Sequence, residues 1–290
     1  MAPEFFLFLP QMRMSIDDLV TRAQAAEAAG FVGMAGMDHL APPLALDQPM
    51  YEALTTTAWL AARTERLVHG QLVLCDAFRH PAVLARQAVT IDHASGGRFE
   101  LGIGAGSVVE EFATFGVDPK TPGARVRRLS ETLDILRACW SGETFDYDGE
   151  FFHVEGGRQV PVPLGTIPIV VGGSGPRMLE LVAKHADWWN CMVSDLDRWD
   201  ELREKVGSAR VSTQQMVAFV GNEAEREAIE ETARRRFRFP GMIVGTAREL
   251  VDWFGGMRDR GVERFYVWFA DFGDPETLAA FGRDVIGALA

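Results

Sequence analysis

Cysteine is scarce in this chain. Its 290 residues include three, Cys75, Cys139 and Cys191, odd in number and never in a CxxC pair. That excludes a disulfide framework and zinc knuckles and fits a reducing compartment. No apolar run approaches the ~18 residues of a membrane span. The start, Met1-Ala2-Pro3-Glu4-Phe5-Phe6, has an acid where a secretory leader has bases. A cytoplasmic protein with no membrane contact is expected. Positive charge is also short: 29 Lys and Arg stand against 41 Asp and Glu, a net charge of −12. Such a surface repels phosphate backbones, so no nucleic-acid partner is expected. The basic run Arg234-Arg235-Arg236 with Arg238 follows Glu230 and Glu231 and reads as a solvated helix end. The six histidines (39, 69, 80, 93, 153 and 185) form no HxH or HExxH, which leaves no metal site in view. A GxSxG elbow and a Walker loop are missing too.

What is present is an alternation of short apolar runs with amphipathic stretches. The strand candidates are Phe5–Leu9, Phe31–Ala35, Leu67–Leu74, Phe99–Ile103, Ile167–Val171, Trp188–Val193, Met216–Val220 and Arg264–Phe269. Continuous apolar character fits strands buried on both faces of a parallel sheet. Between them lie helices with readable ends. Ser15 with Asp18 and Thr246 with Glu249 have capping-box spacing. Gly30, Gly142 and Gly261 stand where helices stop. Pro81 and Pro275 suit a first helical position. Eight strand–helix alternations predict an α/β fold, a (β/α)8 TIM barrel forming a single domain over residues 1–290. An open doubly wound sheet is the alternative, but no GxGxxG follows the first strand. Two segments exceed barrel connections: Ser107–Thr121 after strand 4 and Glu143–Pro163 after helix 4. The second contains a predicted hairpin turning at Asp148-Gly149.

Barrel chemistry sits at strand C-termini. The second strand runs into Asp38-His39. This pair can bind a ring edge and move a proton, or Asp38 can cap a turn beside a packed His39. After the third strand, Cys75 can be a nucleophile or a small pocket-lining side chain. Gly102, Gly104 and Gly106 remove side chains where a flat ligand can approach, or serve tight packing. The loop Gly172-Gly173-Ser174-Gly175-Pro176-Arg177 joins a strand to a helix. Its exposed N–H groups suit a phosphate, with Arg177 adding charge, and a plain tight turn is the other reading.

These stretches resemble the luciferase-like monooxygenase superfamily, in the branch that uses the deazaflavin coenzyme F-420. The resemblance rests on Ala25-Ala26-Glu27-Ala28-Ala29-Gly30-Phe31 with Met37-Asp38-His39, on Phe78-Arg79-His80-Pro81, on Ser95-Gly96-Gly97-Arg98-Phe99 through Gly106, and on Ile169 through Pro176. Ala186-Asp187-Trp188-Trp189-Asn190 and Val244 through Glu249 with Gly261-Val262-Glu263-Arg264-Phe265 extend it over nearly the whole chain. The resemblance implies a tricyclic ring in the barrel mouth, with Asp38 and His39 beside ring and substrate as the catalytic pair. It implies a peptide bulge backing the ring at Leu74-Cys75, and Ala105, Gly106 and Ser107 along it. Gly172, Gly173, Ser174, Gly175 and Arg177 fall near the cofactor's phosphate-bearing chain. Ser107 departs from the Trp or Glu usual there, which puts the substrate in doubt. A homodimer is also implied. The expected activity is hydride transfer between F-420 and a small organic substrate. The alternatives are an FMN-dependent monooxygenase and a silent flavin-binding barrel. F-420 carries an anionic lactyl-glutamate tail that FMN lacks, and Arg177 and Lys184, seven residues apart on one helix face, are candidate contacts for it.

Overall fold

The computed structural model describes residues 2–43, 45–118, 120–237 and 240–290; Arg238 lies outside them. The strands are β1 (Glu4–Phe8), β2 (Gly33–Gly36), β3 (Val68–Gln71), β4 (Leu74–Cys75), β5 (Leu101–Gly104), β6 (Phe145–Asp148), β7 (His153–Gly157), β8 (Ile169–Gly172), β9 (Trp188–Cys191), β10 (Arg210–Phe219), β11 (Ile243–Gly245) and β12 (Arg264–Phe269). The parallel sheet runs β3-β2-β1-β12-β10-β9-β8-β5-β4, with β11 beside the end of β10. β3 and β4 are one barrel strand broken at residues 72–73. β3 pairs with β2, β4 pairs with β5, and a bridge from His69 to Phe99 closes the ring. The expected (β/α)8 barrel is therefore the fold, and the open sheet is set aside.

The helices form where expected and for the expected reasons. Ile16–Ala28 opens on a Ser15–Asp18 capping box and is followed by Gly30 at φ +89. Pro122–Ser141 stops at left-handed Gly142, and Ala247–Asp259 opens on the Thr246–Glu249 box. Arg226–Arg236 carries the basic run, in which Arg234 and Arg235 pair with Glu230 and Glu231 one turn back. The hairpin β6–β7 turns through residues 149–152 rather than at Asp148-Gly149 alone. Gly149 N–H bonds the Phe152 carbonyl, and the Glu131 carboxylate collects the N–H groups of Glu150, Phe151 and Phe152.

The main core lies between sheet and helices. At the β1–β12 seam Phe254 meets Phe5 edge-on at 5.2 Å and Phe265 at 4.7 Å, and Phe281 meets Phe5 at 5.7 Å. Such pairs contribute ~0.5–1.5 kcal/mol each beyond area burial. A second, smaller core fills the barrel with Phe6, Phe8, Ala35 and Tyr266. Its floor is charged. Arg264 lies between the Trp188 and Phe6 rings, 3.7 and 4.0 Å from their centres, and bonds Glu100 and Glu4 at 2.6 Å each. A barrel sealed at this end presents its opening at the strand C-termini.

Candidate active site

The second strand delivers Asp38 two residues past its end, and Gln11 fixes the approach. Gln11 Nε2 donates to the Met37 carbonyl, and its Oε1 accepts from Met37 N at 3.0 Å. Asp38 is buried and both its oxygens are engaged. Oδ2 accepts from Cys75 N at 2.8 Å, and the Arg79 guanidinium donates to both oxygens, at 2.5 and 2.9 Å. Arg79 also donates to Glu52 at 2.6 Å. Burial opposes the charge on Arg79, but the Asp38 and Glu52 carboxylates outweigh it and hold the guanidinium above its ordinary range. Asp38 is thus a clamp joining the ends of the second and third strands. It does not orient His39, contrary to what their adjacency suggests.

His39 takes a different carboxylate. Its Nδ1 lies 3.0 Å from Glu111 Oε2, and Glu111 Oε1 accepts the N–H groups of Leu40 and Ala41. Glu111 sits on the short helix Val109–Thr114 inside the insert after strand 4, and is itself buried. One side chain therefore ties the His39 loop to that insert. With Nδ1 held, Nε2 has no partner among the described residues, and the ring is one-fifth exposed. A carboxylate-oriented imidazole with one free nitrogen is the arrangement a proton carrier needs.

Burial disfavours the thiolate at Cys75. Burial pushes its thiol up to about 12, so it stays protonated near neutral pH and lines the site as a small side chain. The break in the third strand falls just before it. The peptide between Leu72 and Val73 is cis, two residues ahead of the expected bulge at Leu74-Cys75.

The two glycine runs have opposite uses. A Cβ at Gly102 would fall on the Gln71 carbonyl, and one at Gly104 would lie 2.8 Å from Val73. At Gly106, φ +82, it would meet Phe112 at 2.5 Å and Cys75 Sγ at 3.0 Å. Gly102 and Gly104 admit the broken third strand, and Gly106 admits Phe112 of the insert helix. The loop after β8 is bare instead. A Cβ at Gly172 would have only the Asn190 carbonyl near it, at 3.9 Å, and one at Gly175 nothing within 4 Å. Gly173 has φ +111, and its carbonyl accepts from Trp189 Nε1 at 2.9 Å. Ser174 Oγ donates to Asp195 at 2.7 Å, so its proton is already committed. Arg177 stands exposed in the first turn of the helix Pro176–His185, close to Gly123, with no carboxylate partner among the described residues. Lys184, the other candidate contact for the coenzyme's tail, lies in the last turn of that helix and pairs with Asp134 at 3.3 Å.

Beside the end of the third strand a recess of about 90 Å³ is lined by Asp76, Ala77, Ala105, Lys120, Arg125 and Arg128. Arg128 closes its inner side by donating to the Asp76 carboxylate and to the Arg79 carbonyl, the latter at 3.1 Å. Ala105 faces this recess and Ser107 is exposed beside it. Sequence reasoning missed Glu111, Glu52, Gln11 and Arg128. Each acts across more than ten positions of chain, and no local pattern marks such partners.

Comparison with known proteins places this geometry. A sequence model of the family described as luciferase-like monooxygenase matches residues 3–280. The F-420-dependent glucose-6-phosphate dehydrogenase of Mycolicibacterium fortuitum is 34% identical over 180 residues, 60% of this chain and 52% of that enzyme, so the match spans about half of its length. Among solved structures, an F-420-dependent secondary alcohol dehydrogenase in complex with an F-420–acetone adduct superposes over all of both chains with a TM-score of 0.82 at 17% identity. An EDTA monooxygenase from Chelativorans superposes over 100% of this chain and 94% of its own, with a TM-score of 0.83 at 15% identity. At these identities the structural likeness concerns the fold.

Proposed function

This chain belongs to the luciferase-like monooxygenase family, and from that membership we propose that it is an oxidoreductase using coenzyme F-420 to move a hydride to or from a small organic substrate. The observation that carries the reading is the bare loop Gly172–Gly175. It offers backbone with room around it at a helix N-terminus, with the Arg177 guanidinium, without a carboxylate partner among the described residues, in the first turn. That is a cradle for a phosphate and for negative charge beyond it. Bound there, the deazaflavin would supply the hydride acceptor or donor.

The chain's own residues do the rest. His39 gives or takes the substrate proton through Nε2 while Glu111 holds Nδ1. The Asp38–Arg79 clamp fixes the ends of the second and third strands. Cys75 and Ala105 line the wall without reacting. The sequence relatedness to the F-420-dependent glucose-6-phosphate dehydrogenase supports this choice of coenzyme over FMN.

The test is the absorbance spectrum and mass of the ligand that co-purifies from a host making F-420. The expected ligand is F-420. Bound FMN, or an empty protein that does not take up added F-420, would overturn the reading.

A further inference from the structure

The glycine loop after β8 is fastened twice from the neighbouring strand. β8 and β9 pair in parallel, with Gly172 in register with Asn190, so the segments that follow them leave adjacent strand ends at the mouth. Trp189 of β9 donates from Nε1 to the Gly173 carbonyl at 2.9 Å. The short 3-10 helix Val193–Arg198 after β9 then brings Asp195 back to the loop, where its Oδ2 accepts the Ser174 hydroxyl at 2.7 Å.

A carboxylate is an unfavourable fastener beside backbone that suits an anion. Asparagine would accept the same hydroxyl without the charge. Asp195 also takes the Ser174 proton, so the hydroxyl oxygen has lone pairs alone to offer a ligand. Nor is the charge closely cancelled. Among the described residues its ion-pair partner is Arg198, whose Nη1 lies 4.0 Å from Oδ1 and whose guanidinium donates to Glu201. The Asp195 side chain is one-fifth exposed, while that of Arg198 is half exposed. Arg177 in the first turn of the following helix favours an anion on the loop, and Asp195 opposes it. The balance depends on how much charge the anion carries.

We infer that Asp195 is a specificity-determining residue, which admits a phosphodiester at the glycine loop and discriminates against a phosphomonoester. This rests on the proposed function and says how that site separates F-420 from FMN. The F-420 phosphate is bonded on both sides, to the ribityl chain and to the lactyl group, and carries a single charge. The terminal phosphate of FMN carries about −1.5 to −2 near neutral pH. That added charge meets the Asp195 carboxylate in a partly buried place, where like charges repel more strongly than in water. The other anionic groups of F-420 are carried by its tail, farther along the chain than the phosphate.

The test is a set of fluorescence titrations with F-420 and with two deazaflavin probes that share its ring and ribityl chain. One probe ends in a phosphate and the other in the methyl ester of that phosphate. The methyl ester should bind about tenfold tighter, ~1.4 kcal/mol, and added salt should narrow the gap. Asp195→Asn keeps an acceptor for Ser174 and removes the charge. It should tighten the monoester until the probes agree within about twofold, and leave F-420 affinity within about threefold. Ser174→Ala removes the hydroxyl and leaves the charge, so the gap should persist. Probes that bind the parent protein alike, a gap unchanged in Asp195→Asn, or two probes that fail to bind a protein that takes F-420 would each overturn the inference. Failure of the coenzyme reading is seen separately, as F-420 that does not bind the parent protein at all.

Discussion

At the scale of single residues the account turns on His39. Its Nδ1 is fixed by Glu111 and its Nε2 is open, so His39→Ala should lower turnover by roughly 10²–10⁴-fold. Coenzyme affinity should stay within a few-fold, because no anion site depends on the ring. Steady-state kinetics beside a coenzyme titration checks both. Unchanged turnover would leave His39 as a packed ring held by Glu111. The Asp38-His39 pair was legible in the sequence as a strand-end feature, but the division of labour within it was not. Asp38 does not orient the imidazole. The partner is Glu111, 72 positions away, and only the folded insert brings it there. Cys75 was legible as an alternative between nucleophile and lining, and its burial, which raises the thiol, favours lining.

Elements explain why similar glycine runs behave differently. Gly102 and Gly104 sit where the third strand breaks and its backbone presses in, while Gly172 faces open space. Gly102→Ala should therefore fail to fold or lose several degrees of melting temperature, as expected when a buried side chain has no room. Gly172→Ala should melt within about 2 °C of the parent, since surface-like changes cost under ~0.5 kcal/mol, yet bind coenzyme more weakly. Thermal melts with coenzyme titrations separate the two. If both variants melt alike, the glycines do not have the distinct roles assigned. Gly173 is the wrong position for this test, because φ +111 strains any side chain there. Composition alone could not distinguish the runs, since what matters is which strand passes behind each. The same limit hid the start of β10. It begins at Arg210, six positions before the expected Met216, because Ser212, Thr213 and Gln215 interrupt the apolar pattern while being fully buried. Their hydroxyls and amide satisfy backbone carbonyls of neighbouring segments, a tertiary arrangement with no local signal. Helix ends, by contrast, are local chemistry, and the Ser15 and Thr246 capping boxes were readable at sight.

For the whole molecule, closure of the barrel at the third strand buries His69, whose Nε2 lies 2.7 Å from Thr64 Oγ1. Burial foremost, with Arg98 nearby, pushes its pKa down from 6.5 to about 3. The unfolded chain takes up this proton below about 6.5 and the folded one does not until about 3. Stability from this site is thus complete above about 6.5 and is lost as the pH falls through that window. Urea midpoints at neutral and acid pH should show that loss, and His69→Gln should make it shallower. An equal decline in the variant would assign acid sensitivity to other groups. Charge at this scale also frames the coenzyme. The chain carries −12 overall, so a poly-anionic ligand needs local cations, and of the two candidates Arg177 beside the glycine loop is the one without a carboxylate partner among the described residues. Fluorescence titrations of F-420 and FMN at two ionic strengths test this most directly. F-420 should bind at least about tenfold tighter, ~1.4 kcal/mol, with added salt or Arg177→Ala narrowing the gap. FMN binding as tightly as F-420, or more so, would contradict the account and move the protein to flavin monooxygenase chemistry.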